Sequence, residues 1–188
     1  IWLKLQKRTI IQWKGKFLNI EDSREIIFVR GTTEGINLVA YAWGRDNVKE
    51  GDIIVTTEYE HHSNIVPWQL LTQEKKAQLK YIDIDDNGEL MLDQLDDYLS
   101  TGKVKLVTFS HMSNVLGTIS PVEEIVSKCK NAGVKVLIDA AQSVPHMKVN
   151  LNEIGCDFFV FSGHKMLGPT GVGVLWAKKE ILEKIMFH

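Results

Sequence analysis

Four short runs in this chain are mostly apolar, without regular in–out alternation: Ile53-Ile54-Val55, Val104 to Phe109, Val134 to Ile138 and Phe158 to Phe161. A strand with one solvated face alternates apolar and polar residues, whereas one covered on both faces does not. Stretches with apolar residues in helical spacing separate the runs, so the rhythm is strand, loop, helix, strand. That rhythm predicts a mainly parallel sheet with helices on both faces, a three-layer α/β/α fold. There are no internal repeats, low-complexity tracts or long linkers, and one compact α/β domain follows.

The local signals fill in this frame. Glu25 to Val29 and Leu79 to Ile82 read as further strands, and Asp85-Asp86-Asn87-Gly88 as a turn. Ile36, Val39 and Ala40 begin a helix that Thr32 or Thr33 can cap. Ile65 to Leu71 is helical with Pro67 in its first turn, and Leu92, Leu95 and Leu99 lie along one helix face. Ser120-Pro121-Val122-Glu123 reads as a cap, a first-position proline and a reciprocal glutamate. In the helix that follows, Val122, Ile125, Val126 and Cys129 form the core face, with Gly133 after its end. Residues 1–16 place Trp2, Leu5, Thr9 and Trp13 roughly on one face among basic side chains, an amphipathic helix. The expected division is an N-terminal helical segment over 1–20 and an α/β domain over 21–188.

Composition excludes several classes of partner. A formal net charge of −2 gives no electrostatic reason to expect nucleic acid or an anionic membrane. No apolar run approaches the ~20 residues that span a bilayer. The start, Ile1-Trp2-Leu3-Lys4, has no methionine and no secretory pattern, and reads as a chain cut from something longer. Cys129 and Cys156 have neither metal-ligand nor redox spacing, so a reducing, cytoplasmic setting is expected. Adjacent His61 and His62 invite a metal reading, but neighbours rarely point the same way and no carboxylate sits at an i+4 position, so no metal site is expected.

In an open α/β sheet the ligand lies at the carboxyl ends of the strands. The unusual polar groups here follow predicted strands: Thr32 and Thr33, His61, Asn114, Asp139, Gln142, then Ser162, His164 and Lys165. Each has an ordinary explanation alone, as a helix cap or a solvated loop residue. Together they match the needs of pyridoxal 5'-phosphate. Lys165, after the aromatic run Phe158 to Phe161, can hold the aldehyde, and Asp139 can keep the pyridine nitrogen protonated. Thr32, Thr33, Ser162 and His164 are candidates for the phosphate, the first two at a helix N-terminus. Gln142 and Asn114 can reach the ring oxygen, and His61 can cover the ring face.

Five segments then stand in the order of a known family: Gly31 to Ala40, Glu60 to Gln69, Ser110 to Thr118, Asp139 to Gln142 and Phe161 to Lys165. They resemble the class V, fold-type I pyridoxal phosphate enzymes, and most of all the SufS-like (group II) cysteine desulfurase and selenocysteine lyase branch. The resemblance covers nearly everything after residue 24. It implies that Lys165 is the Schiff-base lysine, Asp139 the pyridine-nitrogen partner and His61 the stacking histidine, which can also move protons. Asn114 and Gln142 match ring-oxygen contacts, and Thr32, Thr33, Ser162 and His164 match residues near the phosphate. His62, His111 and His146 have no such role.

The resemblance further implies a homodimer that converts L-cysteine to L-alanine, passing sulfur as a persulfide to an acceptor protein for iron–sulfur cluster assembly. The persulfide cysteine and the arginine for the substrate carboxylate belong to family segments not found here, and neither Cys129 nor Cys156 matches that cysteine. The chain is therefore expected to be the large, cofactor-binding domain without the small C-terminal one. The alternatives are a lyase for L-selenocysteine or another class V reaction, or a truncated cofactor-binding or interaction module without turnover.

Overall fold

A computed structural model describes residues 18–20 and 22–185. The helix expected over residues 1–16 lies outside them. Among the described residues seven strands form one sheet: β1 (Ile26–Val29), β2 (Ile53–Thr57), β3 (Gln78–Ile82), β4 (Val104–Ser110), β5 (Lys135–Asp139), β6 (Phe158–Ser162) and β7 (Gly173–Ala177). Their order is β1-β7-β6-β5-β4-β2-β3. The pairs from β6 through β5, β4 and β2 to β3 are parallel, and β7 runs antiparallel to both β6 and β1. Six strands therefore point one way and deliver their carboxyl ends to a single edge.

The lack of alternation in the strands has the expected cause. Phe159 and Phe161 of β6 enter one core cluster, while Phe158 and Val160 enter a second cluster on the other face. In the same manner Val136 and Ile138 of β5 face one way and Leu137 the other. Phe158, Phe159 and Phe161 are essentially inaccessible, and each contributes about 2–3 kcal/mol of burial.

Helices cover both faces. On one lie α1 (Thr32–Leu38) and α2 (Val66–Lys75); on the other lie α3 (Leu92–Ser100) and α4 (Val122–Asn131). α1 runs on through a π-helical stretch, Val39–Gly44, into a last turn, Arg45–Asn47. The wider π turns keep Val39, Ala40, Ala42, Trp43 and Gly44 all buried, and Trp43 meets Phe158 edge-on at 5.6 Å. Pro67 sits in the first turn of α2, where its missing N–H leaves no bond unmade. Gly133, with φ of 70°, turns the chain after α4 in a conformation that other residues resist.

Two expected caps are not made. α4 begins at Val122, one residue later than expected, and no side chain caps it. The Ser120 hydroxyl instead donates to the Ser110 carbonyl and bonds the Tyr59 hydroxyl at 2.6 Å. α1 likewise has no side-chain cap of its own, because Gly31 stands at the cap position rather than a threonine. Its first amide is satisfied from across the sheet, where the Thr32 N–H donates to Ser162 Oγ at 2.8 Å.

Candidate functional site

The strand ends enclose a cavity of about 230 Å³. All nine polar residues singled out in the sequence lie on its wall, brought there by five different strand ends. Thr32 and Thr33 start α1 behind β1, and His61 leads a short 3-10 turn, His62–Asn64, after β2. Asn114 lies in the loop after β4, and Asp139 closes β5 with Gln142 just beyond it. Ser162 ends β6, and His164 and Lys165 sit in the 3-10 turn Gly163–Met166 that follows. Ser63, Ser110, Met112 and Ala141 complete the wall. None of these four was singled out, although the two-residue spacing of Ser110, Met112 and Asn114 gives them away: every second residue leaving β4 turns toward the cavity.

The end of the cavity at β1 and β6 is rich in donors. Beyond the Thr32 amide bond, the Thr32 and Ser162 hydroxyls bond each other at 2.8 Å. The N-terminus of α1 adds the positive end of a helix that continues to Asn47. Gly31 permits this arrangement, since a Cβ there would stand 3.2 Å from Ser162 Oγ. The loop carrying Lys165 is held by its own backbone: the Gly163 N–H donates to Val172 O at 2.8 Å and the Gly168 N–H to Gly163 O at 2.9 Å.

The floor holds a carboxylate. Asp139 is 5% exposed, and burial pushes its pKa up to about 6 against the opposing pull of the Ala141 amide and the Lys165 charge. The Ala141 N–H donates to Asp139 Oδ1 at 2.9 Å. His61 is fixed at Nδ1, which accepts from the Ser63 N–H at 3.2 Å and lies 2.8 Å from Ser63 Oγ. With an amide donating to Nδ1, the neutral ring is assigned its proton on Nε2. Burial, then His62 and Lys165, lower the His61 pKa, which favours that neutral form. The His62 ring stands beside it at 4.0 Å. A carboxylate, an amine, an imidazole and an anion-suited helix end thus share one cavity, a donor set fitted to a flat, phosphorylated aldehyde with a basic ring nitrogen.

Neither cysteine reaches this cavity. Both are fully buried; burial pushes the Cys129 thiol up to about 12 and raises that of Cys156 as well. His111 is not on the wall either and is 6% exposed, and His146 ends a short helix, Ser143–His146.

Residues 12–187 match the family model described as Aminotransferase class-V. A cysteine desulfurase of Wigglesworthia glossinidia brevipalpis is 51% identical over 171 residues, covering 90% of this chain and 42% of that protein. One from Enterobacter sp. (strain 638) is 53% identical over 167 residues, covering 89% of this chain and 41% of the other. Among solved structures, a cysteine desulfurase from Escherichia coli superposes with a TM-score of 0.91 at 33% identity, over 97% of this chain and 46% of its own. The apo cysteine desulfurase from Thermococcus onnurineus NA1 gives 0.88 at 40% identity, over 96% and 44%. The chain spans less than half the length of each of these relatives.

Proposed function

The chain belongs to the class V aminotransferase family, and on that premise we propose that it carries the pyridoxal phosphate site of a SufS-like cysteine desulfurase. The whole protein would release L-alanine from L-cysteine and pass the sulfur to an acceptor protein for iron–sulfur cluster assembly. The observation that carries this reading is the pairing of a buried carboxylate, Asp139, with a lysine amine, Lys165, across a cavity whose far end is a helix N-terminus.

When bound, pyridoxal phosphate supplies the aldehyde that takes up the substrate amine and the ring that draws electrons from the substrate. The chain's own residues do the rest. Lys165 Nζ would hold the aldehyde, and once freed by the substrate amine it would serve as the base and acid that takes and returns protons. Asp139 would pair as a carboxylate with a protonated ring nitrogen, and that charge would offset the burial that raises its pKa. The Thr32 and Thr33 end of α1, with Ser162 and His164, receives the phosphate. Asn114 and Gln142 contact the ring oxygen. His61 covers the ring with its Nε2 proton available for transfer, the Ser63 amide keeping the tautomer fixed.

Sulfur must leave on a thiolate. Buried and protonated, Cys129 and Cys156 cannot supply it, so we place the persulfide-forming cysteine outside these residues. A homodimer in the cytoplasm is part of the same proposal. Its support is the resemblance.

The test is an absorbance spectrum of the intact protein with pyridoxal phosphate, before and after borohydride, followed by peptide mapping and an assay for alanine from cysteine. A visible band, a reduced adduct on Lys165 and alanine release are expected. A folded protein with no adduct on Lys165 overturns the cofactor reading; an adduct without alanine from cysteine overturns the reaction.

A further inference from the structure

One buried carboxylate beside the cavity does not line it. Glu60 lies between β2 and the His61 turn, 8% exposed. Its Oε1 accepts from Thr57 Oγ1 at 2.5 Å and from the Ser110 N–H at 2.7 Å. Its Oε2 accepts from Asn64 Nδ2 at 2.6 Å and from Ser110 Oγ at 2.7 Å. Among the described residues no cation pairs with it.

Two of these four donors cannot be reversed. The Ser110 amide can only donate. The Asn64 carboxamide is locked, because its Oδ1 already accepts from the Trp68 indole N–H at 3.0 Å and from Thr108 Oγ1 at 2.7 Å. Turning it over would set an amide N–H against an indole N–H, which has no acceptor. Each oxygen of Glu60 therefore faces one obligate donor. Burial raises the Glu60 pKa to about 7, and the four hydrogen bonds oppose that rise. The arrangement suits an acceptor on both sides and nothing else.

The position of this cluster matters because the backbone ladder gives out below it. β2 and β4 pair only as far as Val55 with Val107. Beyond that point the cavity wall divides: the His61 turn continues from β2, and Ser110, Met112 and Asn114 continue from β4. Glu60 to Ser110, and Asn64 to Thr108, are side-chain bonds that span this gap.

We propose that Glu60 is a positioning residue of the cofactor site, clasping the His61 turn to the end of β4 so that His61 and Asn114 meet the cofactor ring in a fixed relation. The proposal rests on the cofactor reading above and adds a residue which that reading did not assign. Glu60→Gln is the informative variant, since it keeps size and shape but sets an NH2 group against either the Ser110 amide or the Asn64 carboxamide.

In the intact protein, Glu60→Gln should still form the Lys165 adduct on borohydride treatment, because Lys165 hangs from β6. Its affinity for pyridoxal phosphate should fall by about tenfold, and the visible circular dichroism per bound cofactor should drop as the ring loses its fixed surroundings. In the cofactor-free protein the His61 ring resonances should shift. Wild-type affinity, visible dichroism and His61 resonances in Glu60→Gln overturn the proposal. Should that variant not fold, Thr57→Val and Ser110→Ala each remove one bond; both should lower the visible dichroism, and two unchanged spectra overturn the clasp. If wild-type protein takes up no pyridoxal phosphate, the cofactor reading fails, and an unmoved His61 resonance in Glu60→Gln then decides separately against the clasp.

Discussion

Gly173 is the point where three backbones crowd behind the phosphate end of the cavity. It opens β7, opposite Val29 of β1 and Ser162 of β6. A Cβ at this position would stand 2.6 Å from Gly31 Cα, 2.8 Å from Phe161 O and 2.9 Å from Gly31 N. Carbon atoms pack at ~3.5–4.0 Å, so Gly173→Ala demands a backbone shift of about 1 Å. All three neighbours are main-chain atoms, which have no rotamer to escape into. Overpacking costs typically ~1–3 kcal/mol where side chains can adjust; here about 3 kcal/mol or more is expected. The strand that must yield leads directly into Thr32, whose amide and hydroxyl hold Ser162. Equilibrium unfolding in urea measures the first effect, and titration with pyridoxal phosphate should show a loss of about tenfold, a cost of roughly 1.4 kcal/mol. Gly171→Ala is the control. Its φ is +76° with nothing within 4 Å of its Cβ, so only torsional strain of about 1 kcal/mol applies. A Gly173→Ala protein within about 0.5 kcal/mol of wild type would refute the steric reasoning.

Three further outcomes are expected. Asp139→Asn should retain the Lys165 adduct while alanine production falls roughly 10²–10³-fold, since an amide cannot hold the ring nitrogen protonated; near-normal turnover counts against Asp139 as its partner. Burial lowers the pKa of His111, whose Nδ1 has no hydrogen-bond partner, to about 4. Its share of stability is therefore full above pH ~6.5 and lost as pH falls toward 4, so the stability of wild type minus that of His111→Leu should drop by about 3 kcal/mol across that window. Glu60 and Asp139 work in the opposite sense: burial raises them to about 7 and about 6, and the penalty on their charged forms lowers stability as each ionises with rising pH, which is why the difference between variants is the quantity to measure. Finally, a thiol reagent applied to native protein should leave Cys129 and Cys156 unmodified until denaturant is added; rapid native labelling of either would reopen its candidacy as a nucleophile.

Neighbouring residues of one type show what a sequence can reveal here and what it cannot. β5 and β6 are legible because burial on both faces removes alternation, and that is visible within five residues. Once the strands are placed, Asp139 and Lys165 follow, since chain direction in a parallel sheet delivers both to the same edge. Ser120 failed as a cap for the opposite reason. Its hydroxyl is held by Tyr59, sixty-one residues away, and no local pattern encodes that preference. Glu60 was hidden in the same way: in a turn it looks like a solvated charge, and only the ending of the β2–β4 ladder at Val107 gives its carboxylate a gap to bridge. His61 and His111 make the contrast sharpest. Both follow strands in one recognised set of motifs, yet one ring lines the cavity and the other is buried off its wall, 6% exposed. Strand parity separates them, because Ser110, Met112 and Asn114 take the cavity side and leave His111 the other. The chemistry of this edge is thus written in residue type, but its aim is set by strand parity, and the partners that hold Glu60 and Ser120 lie fifty and sixty-one residues away.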